Sequence, residues 1–226
     1  MGATGRVKNL DINIRNEEPK DYRRVEEVAR EAFWNLYSPG CHEHFVIHKM
    51  REHDDFIKEL TFVIKVDGQV EGGIFYTHSK IVSKDNTEYK KYKTITFGPV
   101  FISPKFHRKG LGKKLITHSI EIEVAKEMGY RAILALGYPY HYKPYGFVGG
   151  KKYNISMPDG KFYKGLLVLP LYEGALDNIS GYVAFSDVFD VTEEEVEEFD
   201  RSFPPKEKKY QASQDEYEAA SSMLDE

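Results

Sequence analysis

The chain has 226 residues, 41% of them hydrophobic and 30% charged, with a formal net charge of −4. That balance allows a sizeable buried core in one domain or two small ones, is not that of a disordered chain, and gives no overall basic footprint for nucleic acid. A single cysteine, Cys41, rules out an internal disulfide; no apolar run reaches the ~18–20 residues of a membrane span and the polar N-terminus lacks a signal-peptide core, so a cytoplasmic protein without a membrane partner is expected.

Leu10, Ile12 and Ile14 alternate with polar residues and predict a first strand. Pro19 then opens a helix with Tyr22, Val25, Val28, Ala29, Ala32, Phe33 and Leu36 on one face, broken by Ser38-Pro39-Gly40. A shorter helix is expected from His42 to about Arg51. Residues 61–66 and 70–82 read as a hairpin around Asp67-Gly68, and residues 83–93 as a charged loop. Another extended run covers 94–102. It leads into His107-Arg108-Lys109-Gly110-Leu111-Gly112-Lys113, which opens an amphipathic helix carrying Leu115, Ile116, Ile120, Ile122 and Val124. That helix should run to about Met128 and stop at Gly129, before a buried-looking strand at 130–136. Residues 152–157 and 164–171 read as a hairpin around Pro158-Asp159-Gly160, and 183–185 as a short strand.

The 107–113 segment is the most informative. Glycine lets the backbone turn tightly and approach a ligand, and the first amides of a helix lack internal partners and favour negative charge. A strand, a glycine turn and a helix start can therefore cradle a pyrophosphate. Two commoner phosphate loops fail. A Walker A loop needs glycine where His107 stands and Ser or Thr where Lys114 stands; a dinucleotide fingerprint needs a third glycine where Leu115 stands.

The downstream order adds specificity. After the helix and strand comes Gly137-Tyr138-Pro139-Tyr140-His141-Tyr142-Lys143-Pro144-Tyr145-Gly146-Phe147. Loop, helix, strand and Tyr-x-x-x-Gly-Phe element together resemble the GNAT superfamily of N-acetyltransferases, clearly over about 94–147 and more loosely over the first 190 residues. His107 departs from the family's usual Gln or Arg. The resemblance implies an α/β, α+β layered fold with a mixed, mostly antiparallel sheet flanked by helices. It implies acetyl-CoA as co-substrate without a metal, and direct attack by a small-molecule or peptide amine in a ternary complex. It implies that His107, Arg108, Lys109, Gly110, Leu111, Gly112 and Lys113 hold the pyrophosphate, mainly by backbone amides, that backbone groups of Val100, Phe101 and Ile102 hold the pantetheine arm, and that Tyr142 assists the departing sulfur. Tyr138, Tyr140 and Phe147 fit packing roles; His141 and Tyr145 are the fallback acids. A non-catalytic acyl-CoA sensor is the alternative in another class.

For the acceptor site and its base, Glu31, Glu43, His44 and His48 are the candidates, because they lie in the first two helices. The Cys41-His42-Glu43-His44 cluster with His48 also invites a zinc reading, but it lacks H-E-x-x-H and a second cysteine pair. Acceptor-pocket lining is the expectation.

Beyond 190 the composition turns acidic, so residues 1–190 are read as the acetyltransferase domain and 191–226 as a helical tail. Thr192-Glu193-Glu194-Glu195 is a capping box for a helix that docks through Val196 and Phe199 and stops at Pro204-Pro205. Ser213-Gln214-Asp215-Glu216 suggests a second one, either solvated or serving as a lid or dimer contact. A monomer and a homodimer are both compatible with the sequence.

Overall fold

A computed structural model describes residues 10–85, 88–120 and 127–225, with side chains at 84 and 85 left aside. Among the described residues nine strands form one mixed sheet, mostly antiparallel, in the order β1-β2-β3-β4-β5-β8-β6, with β9 pairing β3 and β7. The first hairpin forms as expected: β2 (Phe62–Val66) turns at Asp67 and Gly68, both at positive φ, into β3 (Gln69–Asp85), and β1 (Ile12–Asn16) pairs with β2 on the outside.

The helices fall on two faces. On one, α1 (Tyr22–Phe33) and α2 (Glu43–Met50) bury Val25, Val28, Ala29, Phe33, Ile47 and Met50 against Val63, Phe75 and Phe101. On the other, α3 (Leu111–Ile120) buries Leu111, Leu115 and Ile116 against Ile64, Ile74, Tyr76, Ile95 and Phe97. The predicted continuation of α3 through Ile122 and Val124 lies outside the described residues. The register of α2 is set by Arg51, whose side chain reaches Glu17 at 2.7 Å and Glu26 at 2.5 Å with all three nearly enclosed. One cation thereby satisfies two buried carboxylates, an arrangement stable only while complete.

Two predicted elements are corrected. Residues 83–93 are not a loop: β3 continues to Asp85 and β4 (Glu88–Ile102) starts soon after, with Val82 opposite Lys91 and Ser83 opposite Lys90. This part of the ribbon is largely exposed on both faces, so it has no apolar alternation. Nor do 152–157 and 164–171 pair with each other. The turn exists, with Gly160 N–H donating to Met157 O and Met157 N–H to Lys161 O. Its flanks diverge: β7 (Ile155–Ser156) runs parallel to β9 (Gly181–Ala184), and β8 (Leu166–Pro170) lies between β5 (Ala132–Leu136) and β6 (Val148–Gly149). Turn chemistry is local, whereas strand partnership is decided by which apolar faces the rest of the sheet has to cover.

The tail forms α5 (Glu193–Asp200) and α6 (Ala212–Ser222). The α5 capping box is present, Val196 is buried, and Phe199 packs on His44, Phe45 and His48. Asp200 takes a two-pronged bond from Arg30 at 2.6 and 2.9 Å. The second capping box does not form. The N-cap is Gln211, and Ser213 Oγ instead donates to Leu36 O at 2.8 Å, because this helix is seated on the α1–α2 connection rather than standing free.

Candidate active site

The site is built around a gap in the sheet. β4 and β5 run parallel and pair only at Ile95–Ile133 and Thr96–Leu134. Beyond those positions β4 continues along β3, with Val100 opposite Ile74, Phe101 opposite Gly73 and Ile102 opposite Gly72, while β5 ends at Leu136. Alternate backbone groups of this stretch of β4 therefore face an opening rather than a neighbouring strand. Leu136 stays 53% exposed at its rim.

At the far end of β4 the chain passes a 3-10 turn (Pro104–Phe106) and enters the loop before α3. Arg108 and Gly110 both take positive φ, at 60° and 79°. Among the described residues no group accepts from the backbone amides of 108–113, so the whole N-terminal turn of α3 is available to an anion. A Cβ on Gly110 meets nothing within 4 Å, and one on Gly112 would touch only Ile102 Cγ1 at 3.7 Å. Gly110 is thus needed for its backbone angle, and neither glycine makes room for a protein neighbour. The departure at His107 has a structural role: its Nε2 lies 2.9 Å from Ile102 O, fixing the turn between strand and loop.

Tyr142 ends the short helix α4 (Pro139–Tyr142) and stands at the gap, its ring 5.3 Å from Phe97 and 5.8 Å from Phe147. A Cβ on Gly137 would sit 2.7 Å from Tyr142 Cε2, so that glycine makes space for the ring. Burial pushes the Tyr142 hydroxyl up to about 12, with Tyr145 adding to it. Burial lowers His141.

Two cavities of about 390 and 400 Å³ share Tyr37, Glu43, Leu136 and Tyr142 as common wall. One opens toward Gly98, Pro99 and Val100 of β4, the other toward Tyr138, Tyr163 and α6. Glu43 stands in the first turn of α2, accepts from the His42 amide at 3.1 Å, and is partly buried where it lines both cavities. Burial raises its carboxyl against the pull of the backbone bonds and His42. Tyr37 and Tyr217, tilted against each other with ring centroids 4.5 Å apart, are raised by burial and further by the charge of Glu43.

Of the four acceptor-site candidates, the structure brings Glu43 alone to these cavities. Glu31 is exposed on α1. His48 pairs with Glu26 at 3.0 Å and packs, tilted, against Phe199. His44 is fully buried under α5, with Nδ1 3.3 Å from Cys41 Sγ and Nε2 3.0 Å from Asp200 Oδ1, off the line of a good hydrogen bond. Burial pulls His44 down to about 4. The Cys41-His42-Glu43-His44 run does not converge, since His42 turns to Glu193 at 2.9 Å. Among the described residues only His53, Asp55 and Asp187 bring three ligand-type atoms within 4.8 Å of one another. Tyr37 and Tyr217 carried no sequence signal, because each matters through a partner far away in the chain, whereas Gly137 acts locally by clearing space for Tyr142.

A strand that parts from its neighbour at a glycine loop and helix start, with a tyrosine in the gap, invites comparison with known proteins. The acetyltransferase (GNAT) family profile matches residues 30–147, just over half of the chain. The chain belongs to the GNAT family. It is therefore an acyltransferase of GNAT type. The N-acetyltransferase YhbS of Escherichia coli (strain K12), itself uncharacterized, is 23% identical over 176 residues, covering 78% of this chain and 97% of that protein. The crystal structure of E. coli YhbS in complex with CoA superposes with a TM-score of 0.68 at 22% identity, covering 80% of this chain and 93% of that one. A GNAT acetyltransferase from Brucella melitensis in complex with acetyl-CoA gives 0.60 at 23% identity, covering 80% and 99%. These similarities bear out the layered GNAT fold read from the loop and tyrosine element. No described helix is long and apolar enough to cross a membrane.

Proposed function

We propose that this GNAT member transfers an acetyl group from acetyl-CoA to a primary amine by direct attack in a ternary complex. The observation that carries the reading is the gap between β4 and β5, with Tyr142 and Glu43 both lining the two cavities there. The amides of 108–113 receive the pyrophosphate, and gap-facing backbone groups of Val100, Phe101 and Ile102 hold the pantetheine arm in place of the missing strand neighbour. Ile102 O is already shared with His107, so it contributes least. Acetyl-CoA supplies the activated thioester.

Glu43 takes the proton that an alkylammonium must lose before its nitrogen can attack. Its raised carboxyl narrows the distance to the amine's own pKa and makes that transfer less uphill. The Tyr142 phenol, at about 12, is a weaker acid than a thiol at ~8.5. Tyr142 therefore stabilises the departing sulfur by donating a hydrogen bond rather than by surrendering its proton.

Free-thiol release from acetyl-CoA, screened over amines, tests the reading. Tyr142→Phe keeps the ring and removes the donor; a charge-assisted hydrogen bond of about 1.5–3 kcal/mol sets the loss in kcat at roughly 10- to 100-fold with cofactor affinity little changed. Normal turnover by Tyr142→Phe together with a defect in Tyr145→Phe would move the role to Tyr145. Acetyl-CoA binding without thiol release on any amine would leave the sensor alternative.

A further inference from the structure

The C-terminal helix lies across one of the two cavities. At its start, Ser213 Oγ donates to Leu36 O at 2.8 Å and Gln214 Nε2 to Asn35 O at 3.0 Å. Just before it, Lys209 N–H donates to Asn35 Oδ1 at 3.1 Å, and Trp34 Nε1 to Glu207 O at 2.9 Å. At its end, Lys164 N–H donates to Met223 O at 2.9 Å and Asp225 N–H to Phe162 O at 2.8 Å, an antiparallel bridge of Leu224 with Tyr163. The helix is thus tied to both banks of the cavity, beside Tyr37 on one and at Tyr163 on the other. Tyr217, Ala220 and Ser221 line the space beneath it. Gln214 alone among the residues of α6 is buried, so little of this helix serves a core of its own.

The chemistry of the enclosed space is one-sided. Glu43 is the only carboxylate among the lining residues, and no lysine or arginine lines it. The one other titratable group that gains or loses charge near neutrality, His141, is disfavoured as a cation by burial. Five tyrosines face the space, Tyr37, Tyr138, Tyr142, Tyr163 and Tyr217, together with Leu136, Met157 and Leu166. Aromatic faces attract an ammonium group and also take up apolar surface, while a buried anion without a cationic partner is costly.

We infer that α6 is a strap completing the acceptor pocket, and that the pocket takes a primary monoamine with an aromatic or apolar body and no acidic group. The ammonium pairs with Glu43 and the body lies among Tyr37, Tyr163 and Tyr217. A second ammonium, as in a polyamine, finds no second carboxylate in this cavity, Asp190 lining only the one toward β4. A carboxylate or phosphate on the acceptor meets Glu43 and no cation. A terminus or lysine on a folded protein finds the strap across its path. The chemistry of the acceptor rests on the transfer reading; its binding does not, and the test separates the two.

Phenethylamine and phenylalanine differ only by a carboxylate, and spermidine adds ammonium groups without a ring. Calorimetric titration of each into the full-length protein, with thiol release followed in parallel, is the experiment. Phenethylamine is expected to bind at least ~10-fold more tightly than phenylalanine or spermidine. Tyr217→Ala should weaken it several-fold, and Ala220→Trp should block it, while both variants keep the melting shift given by acetyl-CoA. No phenethylamine binding, equal binding of phenylalanine or spermidine, or wild-type affinity in both variants overturns the inference. Selective binding without thiol release upholds the pocket and overturns the transfer reading instead.

Discussion

Glu43 carries two opposed effects in one side chain. Its folded-state pKa lies above the unfolded value, so the folded chain holds the proton more tightly than the unfolded one. Once pH exceeds both values, the charged carboxylate therefore costs folding stability. As a base it must be in that charged form. Activity is expected to rise with pH through the raised Glu43 pKa and then level. Glu43→Gln should melt higher than the parent at pH 7.5 and lose about 10²- to 10⁴-fold in kcat/KM, and its residual rate should no longer show the Glu43 limb. A lower melting point would mark Glu43 as structural. In the loop, Gly112→Ala adds only an ordinary contact with Ile102 and should fold normally. Its methyl group projects from the amide turn, so loss of acetyl-CoA binding at unchanged stability is expected. Retained binding would show that the cradle lies elsewhere.

At the scale of elements, the tail divides into two parts with different work. α5 fills a groove with Val196, Phe199 and the following Phe203, and Asp200 neutralises the enclosed Arg30. Ending the chain after Asp190 strips that partner and exposes apolar surface, so a loss of about 3–5 kcal/mol is expected. Ending it after Lys209 removes a helix that buries little, and the melting point should fall far less while amine selectivity changes. Equal melting of the two shortened chains would show that α5 contributes nothing. The elements also show what sequence can carry. The glycine loop, the α3 start, the Asp67-Gly68 turn and the Thr192 cap were legible because each is local chemistry within a few residues. The 83–93 ribbon was hidden, since exposure on both faces removes the alternation that marks a strand. The partners of β7 and β8 were not legible because the turn between them is real but their neighbours lie in strands well outside that turn. Tyr142 was legible through its motif, whereas Glu43 was one of four equal candidates until the folding of α2 placed it at the cavity.

For the whole molecule, acetyl-CoA is expected to be a stabiliser. At about 100 times the dissociation constant, linkage contributes ~2.7 kcal/mol. For a chain of this length that corresponds to a rise in melting point of roughly 5–11 °C. An unchanged melting point at millimolar acetyl-CoA would remove the cofactor from the reading. The gap in the sheet adds a further expectation. With only two paired positions between β4 and β5, the β1–β4 half and the β5–β8–β6 half share little ladder where the site lies. A ligand bonded to both edges would act as a splice between them. Without it, heat should loosen the halves partly independently, so the van't Hoff enthalpy falls short of the calorimetric one; with acetyl-CoA bound, the two should converge. The opening proposed for the substrate is in this sense also the seam along which the molecule is expected to part.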